Sequence, residues 1–146
     1  MAYTPSTQPD DPRSNGAGEG AWSLGGRLLL AALYLVAGMA HLAMPEPFLR
    51  ITPDWVPAPA LVIAATGVAE IAGAAGLMIP RLRAAAGIGL ALYAVAVFPA
   101  NIQHAVTDLG HGTGLPWAYH APRLYAQPFI MAWALWAGGV WPRPRR

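Results

Sequence analysis

One carboxylate lies in a segment that is otherwise almost free of charge. Glu70 is enclosed by small and apolar residues in "GVAEIAGAAG", residues 67–76. On insertion scales, a charged side chain at the centre of a membrane costs about 2.5–3.5 kcal/mol. An acid in this position predicts proton transfer, a counter-charge for a cationic ligand, or a hydrogen bond to a quinone-like headgroup. The structural alternative is a protonated acid that joins two helices through one hydrogen bond.

Other polar side chains recur at helical spacing in apolar surroundings. Tyr34 and His41 are seven residues apart, which is close to two full turns of a helix, so they share one stripe. Two later stretches carry similar stripes. If the stripes converge with the acid, they form a pocket that opens at one end of the helices. The residues expected to line this pocket are Glu70, His41, Asn101, His104, Arg123, Gln127, Tyr34 and Tyr93. No catalytic role is assigned to any of them.

The histidines do not follow a strong metal-binding pattern. His111 and His120 lie in "HGTGLPWAYH", which lacks the short fixed spacing of zinc motifs. The segment "GHGTG" has neither the lysine nor the strand-to-helix setting of a phosphate loop. The sequence therefore predicts no metal site, and these two histidines are the weakest pocket candidates.

The composition indicates a membrane protein of one domain. The chain has 146 residues, of which 55% are hydrophobic and 11% are charged, whereas soluble domains have about 25% charged residues. A net charge of +2 with scattered arginines excludes a nucleic-acid-binding stripe. The absence of cysteine excludes disulfides and thiolate-bound clusters. Redox chemistry would need a bound cofactor or a partner protein.

Four stretches are long enough to cross a bilayer, which takes about 20 mainly apolar residues. They predict an all-α fold, an integral membrane antiparallel four-helix bundle over residues 22–142. Residues 1–21 are expected to form a disordered cytoplasmic tail, and residues 143–146 a basic cytoplasmic tail. The predicted spans are about 24–44, 60–79, 84–106 and 123–140.

The distribution of arginine predicts the orientation. Seven of the nine arginines fall on one side of the four-span layout, and the positive-inside rule makes that side cytoplasmic. Both termini are therefore expected in the cytoplasm, with the protein in the inner (plasma) membrane and all four histidines on its outer side. Small residues four apart in the second and third spans predict close helix contacts, self-association or packing against another membrane subunit.

Several motifs resemble those of the DoxX-like family of small bacterial membrane proteins. The resemblance covers residues 24–140 and rests on His41 with Pro45 and Phe48, Gly67 with Glu70, Pro80 with Arg81 and Arg83, Pro99 with Asn101, and Arg123 with Gln127. It implies a four-helix membrane bundle and an association with redox complexes that pass electrons to quinone. It carries over no catalytic residues.

Three functions remain open at this level. The first is an anchor or quinone-pocket subunit of a membrane redox complex, with no covalently bound cofactor and with quinone as the candidate ligand. The second is a small proton-coupled transporter that uses Glu70, and the third is a structural or assembly partner without chemistry. The expected partners are the lipid bilayer, a membrane or peripheral redox protein and a second copy of the chain, but not nucleic acid. Whether the protein is an enzyme stays open.

Overall fold

The computed structural model describes residues 13–112 and 114–141, with side chains from Ser23 onward except that of His111. All regular secondary structure in these residues is helical, so the predicted all-α class is confirmed. The elements are α1 (Arg13–Ala43), α2 (Glu46–Ile51), α3 (Pro59–Met78), α4 (Arg83–His111) and α5 (Trp117–Ala137).

The helix boundaries differ from the predicted spans mainly at the two ends of the chain. The helix α1 begins at Arg13, inside the segment that the sequence assigned to a tail, whereas residues 1–12 and the basic residues 143–146 lie outside the described part. The helix α5 begins at Trp117, six residues before the predicted span 123–140, and contains two prolines. The proline-rich connection at 45–59 folds into the short helix α2.

Three helical segments are long and apolar enough to cross a membrane. They are Ser23–Ala43, Pro59–Met78 and Arg83–Gly110. The fourth predicted span lies in α5, which is helical but does not belong to this group. Its first half is too polar, because it carries His120, Arg123 and Gln127.

The four long helices pack in a closed order. The helix α1 packs on α3, α3 on α4, α4 on α5, and α5 returns to α1. The core between these helices consists of small and aliphatic side chains and one aromatic side chain. Its buried members are Leu30, Ala31, Tyr34, Ala74, Leu77, Leu90, Ala91, Ala134 and Ala137. This core leaves the polar side chains nearer to the end of the helices at which His41 lies.

Glycine pairs let the helices approach closely. A Cβ atom on Gly38 of α1 would lie 2.7 Å from the carbonyl oxygen of Gly67 on α3. A Cβ atom on Gly87 of α4 would similarly lie 2.6 Å from the carbonyl oxygen of Ala134 on α5. By contrast, a Cβ atom on Gly89 would meet nothing within 4 Å. Of the small residues in α4, only some are therefore used for packing within the chain.

Arginine side chains bond to helix-end carbonyls at the end opposite to His41. Arg27 donates from Nε to the carbonyl oxygen of Ala137 at 3.0 Å, and Arg83 donates to that of Leu77 at 3.2 Å. Cations stabilise these carbonyls because the C-terminal end of a helix carries partial negative charge. The two ends of the structure thus differ, because Arg27 and Arg83 lie at one end and His41 lies at the other.

Candidate functional site

A cavity of about 470 Å³ lies between the helices and extends toward the end at which His41 is found. Its volume falls within the roughly 300–1,000 Å³ of small-molecule sites. Most of the lining is apolar, from α1, α3, α4 and α5, and α2 forms one wall. Seven of the eight residues expected from the sequence line it: Tyr34, His41, Glu70, Tyr93, Asn101, Arg123 and Gln127. The eighth, His104, lies in a neighbouring cavity.

Glu70 on α3 faces His41 on α1. Glu70 is 4% exposed, and the Oε2 atom of its carboxyl group lies 2.8 Å from Nδ1 of His41. The same Nδ1 atom lies 2.9 Å from the carbonyl oxygen of Ala37, one turn earlier in α1. A carbonyl oxygen only accepts, so Nδ1 carries a hydrogen that points to Ala37. Oε2 is therefore close to the imidazole and yet has no aligned hydrogen-bond partner.

The short helix α2 fixes the imidazole from the other side. The ring of Phe48 stacks on that of His41, with centroids 3.8 Å apart and planes 25° from parallel. The hydroxyl group of Tyr93 faces the Glu70 carboxyl group from α4. Tyr34 packs edge-on against Tyr93, with ring centroids 6.2 Å apart. The acid, the imidazole and the phenol thus form one polar wall of the cavity, which we call the Glu70 wall.

Arg123 on α5 organises the opposite side. Its Nη2 atom donates to Oδ1 of Asn101 at 2.8 Å, and its Nη1 atom donates to Nδ1 of His104 at 3.1 Å. The guanidinium also lies over the ring of Tyr119, with Cζ 5.1 Å from the centroid. A guanidinium has five N–H donors in a fixed plane, so these two bonds do not use all the donors of Arg123, which lines the cavity.

A buried amide chain continues from Arg123 toward the core. Asn101 donates from Nδ2 to Oε1 of Gln127 at 3.4 Å, and Gln127 donates from Nε2 to the carbonyl oxygen of Ala94. Gln127 is 6% exposed. Because the guanidinium can only donate, it fixes the direction of every bond along this chain. Asn101 and Gln127 are therefore held in single orientations.

A second cavity of about 890 Å³ adjoins the first and shares Arg123 and Phe48 with it. At its edge, Oδ2 of Asp108 lies 3.1 Å from Nε2 of His104 and 3.1 Å from Nε2 of His120. The backbone N–H of Leu115 donates to the same oxygen at 3.0 Å. These three side chains, which we call the His–Asp cluster, could hold a metal ion by their spacing, since their ligand atoms lie within 4.8 Å of one another.

Asp108 and His120 were missed as site residues at the level of the sequence. His120 was set aside because it lies in a segment without a recognisable motif, yet it is 1% exposed and packs between α4 and α5. A signal was present in the four-residue spacing of His104 and Asp108, which places both on one face of a helix. The contribution of α5 to the cluster depends on how two helices pack and is not encoded in any local pattern.

The first cavity offers complementary chemistry at two places. The Glu70 wall supplies a carboxyl oxygen that lacks an aligned hydrogen-bond partner among the described residues, and the guanidinium of Arg123, which lines the same cavity, supplies N–H donors. An apolar ligand with oxygens at its rim would find both within one chamber. Such a ligand could be held by hydrogen bonds and apolar contacts alone, without a covalent bond to the protein.

Comparison with known proteins adds a family but no activity. A family model described as a domain of unknown function (DUF8561) matches residues 30–138, which include every residue of both cavities named above. No curated protein and no solved structure matches the chain.

Proposed function

The chain belongs to the family of the domain of unknown function DUF8561, and we propose that it is an integral membrane protein that binds a quinone headgroup in its first cavity. In this proposal it serves as the membrane subunit of a redox complex and does not carry the redox centre itself. The resemblance to the DoxX-like proteins, which rests on the motifs alone, favours the same assignment. The geometry of the cavity supplies the independent support.

The distribution of exposed apolar side chains supports membrane insertion. Leu29, Val36, Leu61 and Leu92 are each more than half exposed on helices long enough to span a bilayer. In water, a protein of this size rarely exposes so large an apolar surface. Phe129 on α5 is 76% exposed as well, so the second half of α5 also suits lipid. We therefore propose that α5 crosses as the fourth helix of an antiparallel bundle.

The charges favour one orientation of this bundle. Arg27 and Arg83 lie at one end of the helices, and the His–Asp cluster lies at the other. The positive-inside rule places the arginine end in the cytoplasm, together with both termini. The first cavity then opens toward the outer side of the inner membrane.

One observation carries the ligand assignment. Oε2 of Glu70 is buried at the cavity and has no aligned hydrogen-bond partner among the described residues. The nearby Nδ1 atom of His41 directs its hydrogen to Ala37, so a ligand hydroxyl group at this position would give Oε2 the aligned donor that the imidazole does not supply. A quinol supplies such a hydroxyl, and its second oxygen can accept from Arg123. Its flat apolar ring suits the aromatic walls.

The redox step balances without a redox group in the chain. A quinone becomes a quinol by taking two electrons and two protons. In this proposal the electrons come from the redox centre of a partner protein, and the chain itself has no cysteine to bind a cluster. Both protons enter through the cavity, and Glu70 is the group that can hold one beside the headgroup. This assigns Glu70 a proton-carrying role and Arg123 a binding role.

Tryptophan fluorescence gives a direct test. Trp55 and Trp133 line the first cavity, so a bound quinone should quench them. The protein in mild detergent is titrated with a decyl-tailed benzoquinone and, under reducing conditions, with its quinol. Glu70→Gln should weaken quinol binding about 10-fold, because a neutral amide replaces a charge-assisted acceptor. Quinone binding should change less, since the amide can still donate to a carbonyl.

The matched control is Glu46→Gln. Glu46 is exposed in the first turn of α2 and does not line the cavity, so it should leave both affinities unchanged. Saturable quenching in the wild type, with a selective loss of quinol affinity in Glu70→Gln, supports the proposal. Quenching that never saturates, or equal behaviour of the two variants, contradicts it.

A further inference from the structure

We propose that the His–Asp cluster is a binding site for one divalent transition-metal ion, with Zn²⁺ as its simplest occupant. The ligands are Nε2 of His104, a carboxylate oxygen of Asp108 and Nε2 of His120. This site is separate from the Glu70 wall and does not depend on the ligand of the first cavity. It also departs from the sequence-based expectation that the chain has no metal site.

The spacing of the three side chains fits a tetrahedral ion. Metal–ligand bonds of about 2.0–2.1 Å place neighbouring ligand atoms of a tetrahedron about 3.3 Å apart. The carboxylate oxygen of Asp108 lies 3.1 Å from each of the two imidazole nitrogens. Small rotations of the imidazole rings are enough to open this arrangement around an ion. Two imidazoles and one carboxylate form a ligand set that divalent zinc accepts.

The fold holds the ligands from two helices. His104 and Asp108 are one turn apart on α4, and the antiparallel helix α5 delivers His120. The rings of the two histidines lie edge to face, with centroids 4.9 Å apart. The backbone N–H of Leu115 bonds to the Asp108 carboxylate at 3.0 Å and orients it, as outer-shell donors do in metal sites. His104 and Asp108 line the second cavity, so water from this cavity could take the fourth position of a tetrahedral ion.

Metal binding must change the hydrogen bond between Arg123 and His104. In the present geometry Nδ1 of His104 accepts from Arg123 at 3.1 Å, so the ring proton lies on Nε2 and points to Asp108. When Nε2 binds an ion, the proton of a neutral imidazole moves to Nδ1 and faces a guanidinium that can only donate. Arg123 then has to release His104. Replacement of Arg123 by glutamine, whose oxygen can accept from Nδ1–H, should therefore favour the metal-bound form.

The experiment uses full-length protein without an affinity tag, purified in mild detergent and stripped with a chelator. Zn²⁺ is added in a calorimetric titration, and bound metal is counted by elemental analysis after desalting. We expect one Zn²⁺ per chain. Asp108→Asn and His104→Gln should each lower the affinity more than 10-fold, because even the loss of an outer-shell partner costs about 10- to 100-fold. Arg123→Gln should bind at least as tightly as the wild type.

Asp54→Asn is the control for non-specific attraction. Asp54 is exposed and lines the same cavity without belonging to the cluster, so this variant should retain one tight equivalent. The visible absorption of bound Co²⁺ provides a second measurement, which should show a tetrahedral spectrum in the wild type and in Asp54→Asn but not in Asp108→Asn or His104→Gln. Thermal unfolding of the stripped proteins shows that the variants fold. The metal-site proposal would be overturned if the wild type bound no stoichiometric Zn²⁺, or if folded Asp108→Asn bound Zn²⁺ as tightly as the wild type. The three side chains would then form only a hydrogen-bonded triad.

Discussion

Arg123 on α5 donates a hydrogen bond of 2.8 Å to Asn101 on α4, and this bond holds a cation at the boundary between two cavities. From there, one arm of the guanidinium reaches the His–Asp cluster through His104. The amide chain through Gln127 leads from the same residue into the core. Arg123 therefore contacts residues of both cavities. A substitution at this position should change the binding properties of both.

Arg123→Lys should weaken quinone binding about 10-fold while the protein stays folded. A lysine keeps the positive charge but cannot form two parallel bonds in the fixed plane of a guanidinium. The ammonium group can donate to Asn101 or to His104 but does not hold both as the guanidinium does, and each hydrogen bond to a charged group contributes about 1.5–3 kcal/mol. Quenching of tryptophan fluorescence by the decyl-tailed benzoquinone measures the affinity.

Arg50→Lys is the matched control for that experiment. Arg50 is an exposed residue of α2 that lines only the second cavity. Its replacement should leave quinone affinity within twofold of the wild type. If the two lysine variants behaved alike, the planar recognition assigned to Arg123 would be wrong.

Gly38→Ala should destabilise the packing of α1 on α3. The added Cβ atom would lie 2.7 Å from the backbone carbonyl oxygen of Gly67, and a backbone atom cannot move aside by a change of rotamer. Overpacking of this kind costs about 1–3 kcal/mol. We expect a lower midpoint of thermal unfolding in detergent.

Gly89→Ala separates this clash from the general effect of adding a methyl group to a helix. A Cβ atom at Gly89 meets nothing within 4 Å, and alanine is favoured over glycine within a helix by about 1 kcal/mol. The midpoint should stay the same or rise. A comparable fall in both variants would argue against the close crossing at Gly38.

The helical fold and the polar residues that line the first cavity could be predicted from patterns within single helices. Helical spacing places Tyr34 and His41 on one stripe, and an acid such as Glu70 in an apolar segment must turn inward. These constraints act within single helices and can be read locally. The all-helical class follows from them, and seven of the eight expected residues lie at one cavity.

The contacts between helices were not predictable in the same way. Phe48 stacks on His41 because α2 folds back over the end of α1, and no local pattern gives that direction. His120 joins Asp108 for a similar reason, since the connection between α4 and α5 decides which faces meet. The polar residues at the start of α5 form these contacts. The same residues lower the mean hydropathy of α5 below that of a typical membrane span.

Proton-coupled transport makes a different prediction for the same acid. A transporter that uses Glu70 would carry a solute in proteoliposomes at a rate that depends on the pH gradient, and Glu70→Gln would abolish it. We expect no gradient-driven uptake of small cations by the wild type or by Glu70→Gln. The positive charge of Arg123 at the cavity would repel a cationic solute. Uptake by the wild type that is lost in Glu70→Gln but kept in Glu46→Gln would replace the quinone proposal with the transport one.

Single cysteines should report the four-span layout without interference, because the chain has none of its own. Four exposed residues are each replaced by cysteine. Asp54 and Leu115 lie in connections at the histidine end, whereas Leu82 and Trp141 lie at the other end. In spheroplasts, a membrane-impermeant maleimide should label the first pair at once and the second pair only after lysis. Labelling of all four in intact spheroplasts would exclude the proposed insertion. If Leu115→Cys and Trp141→Cys reacted alike while the other two differed, α5 would not cross, and the chain would have three spans.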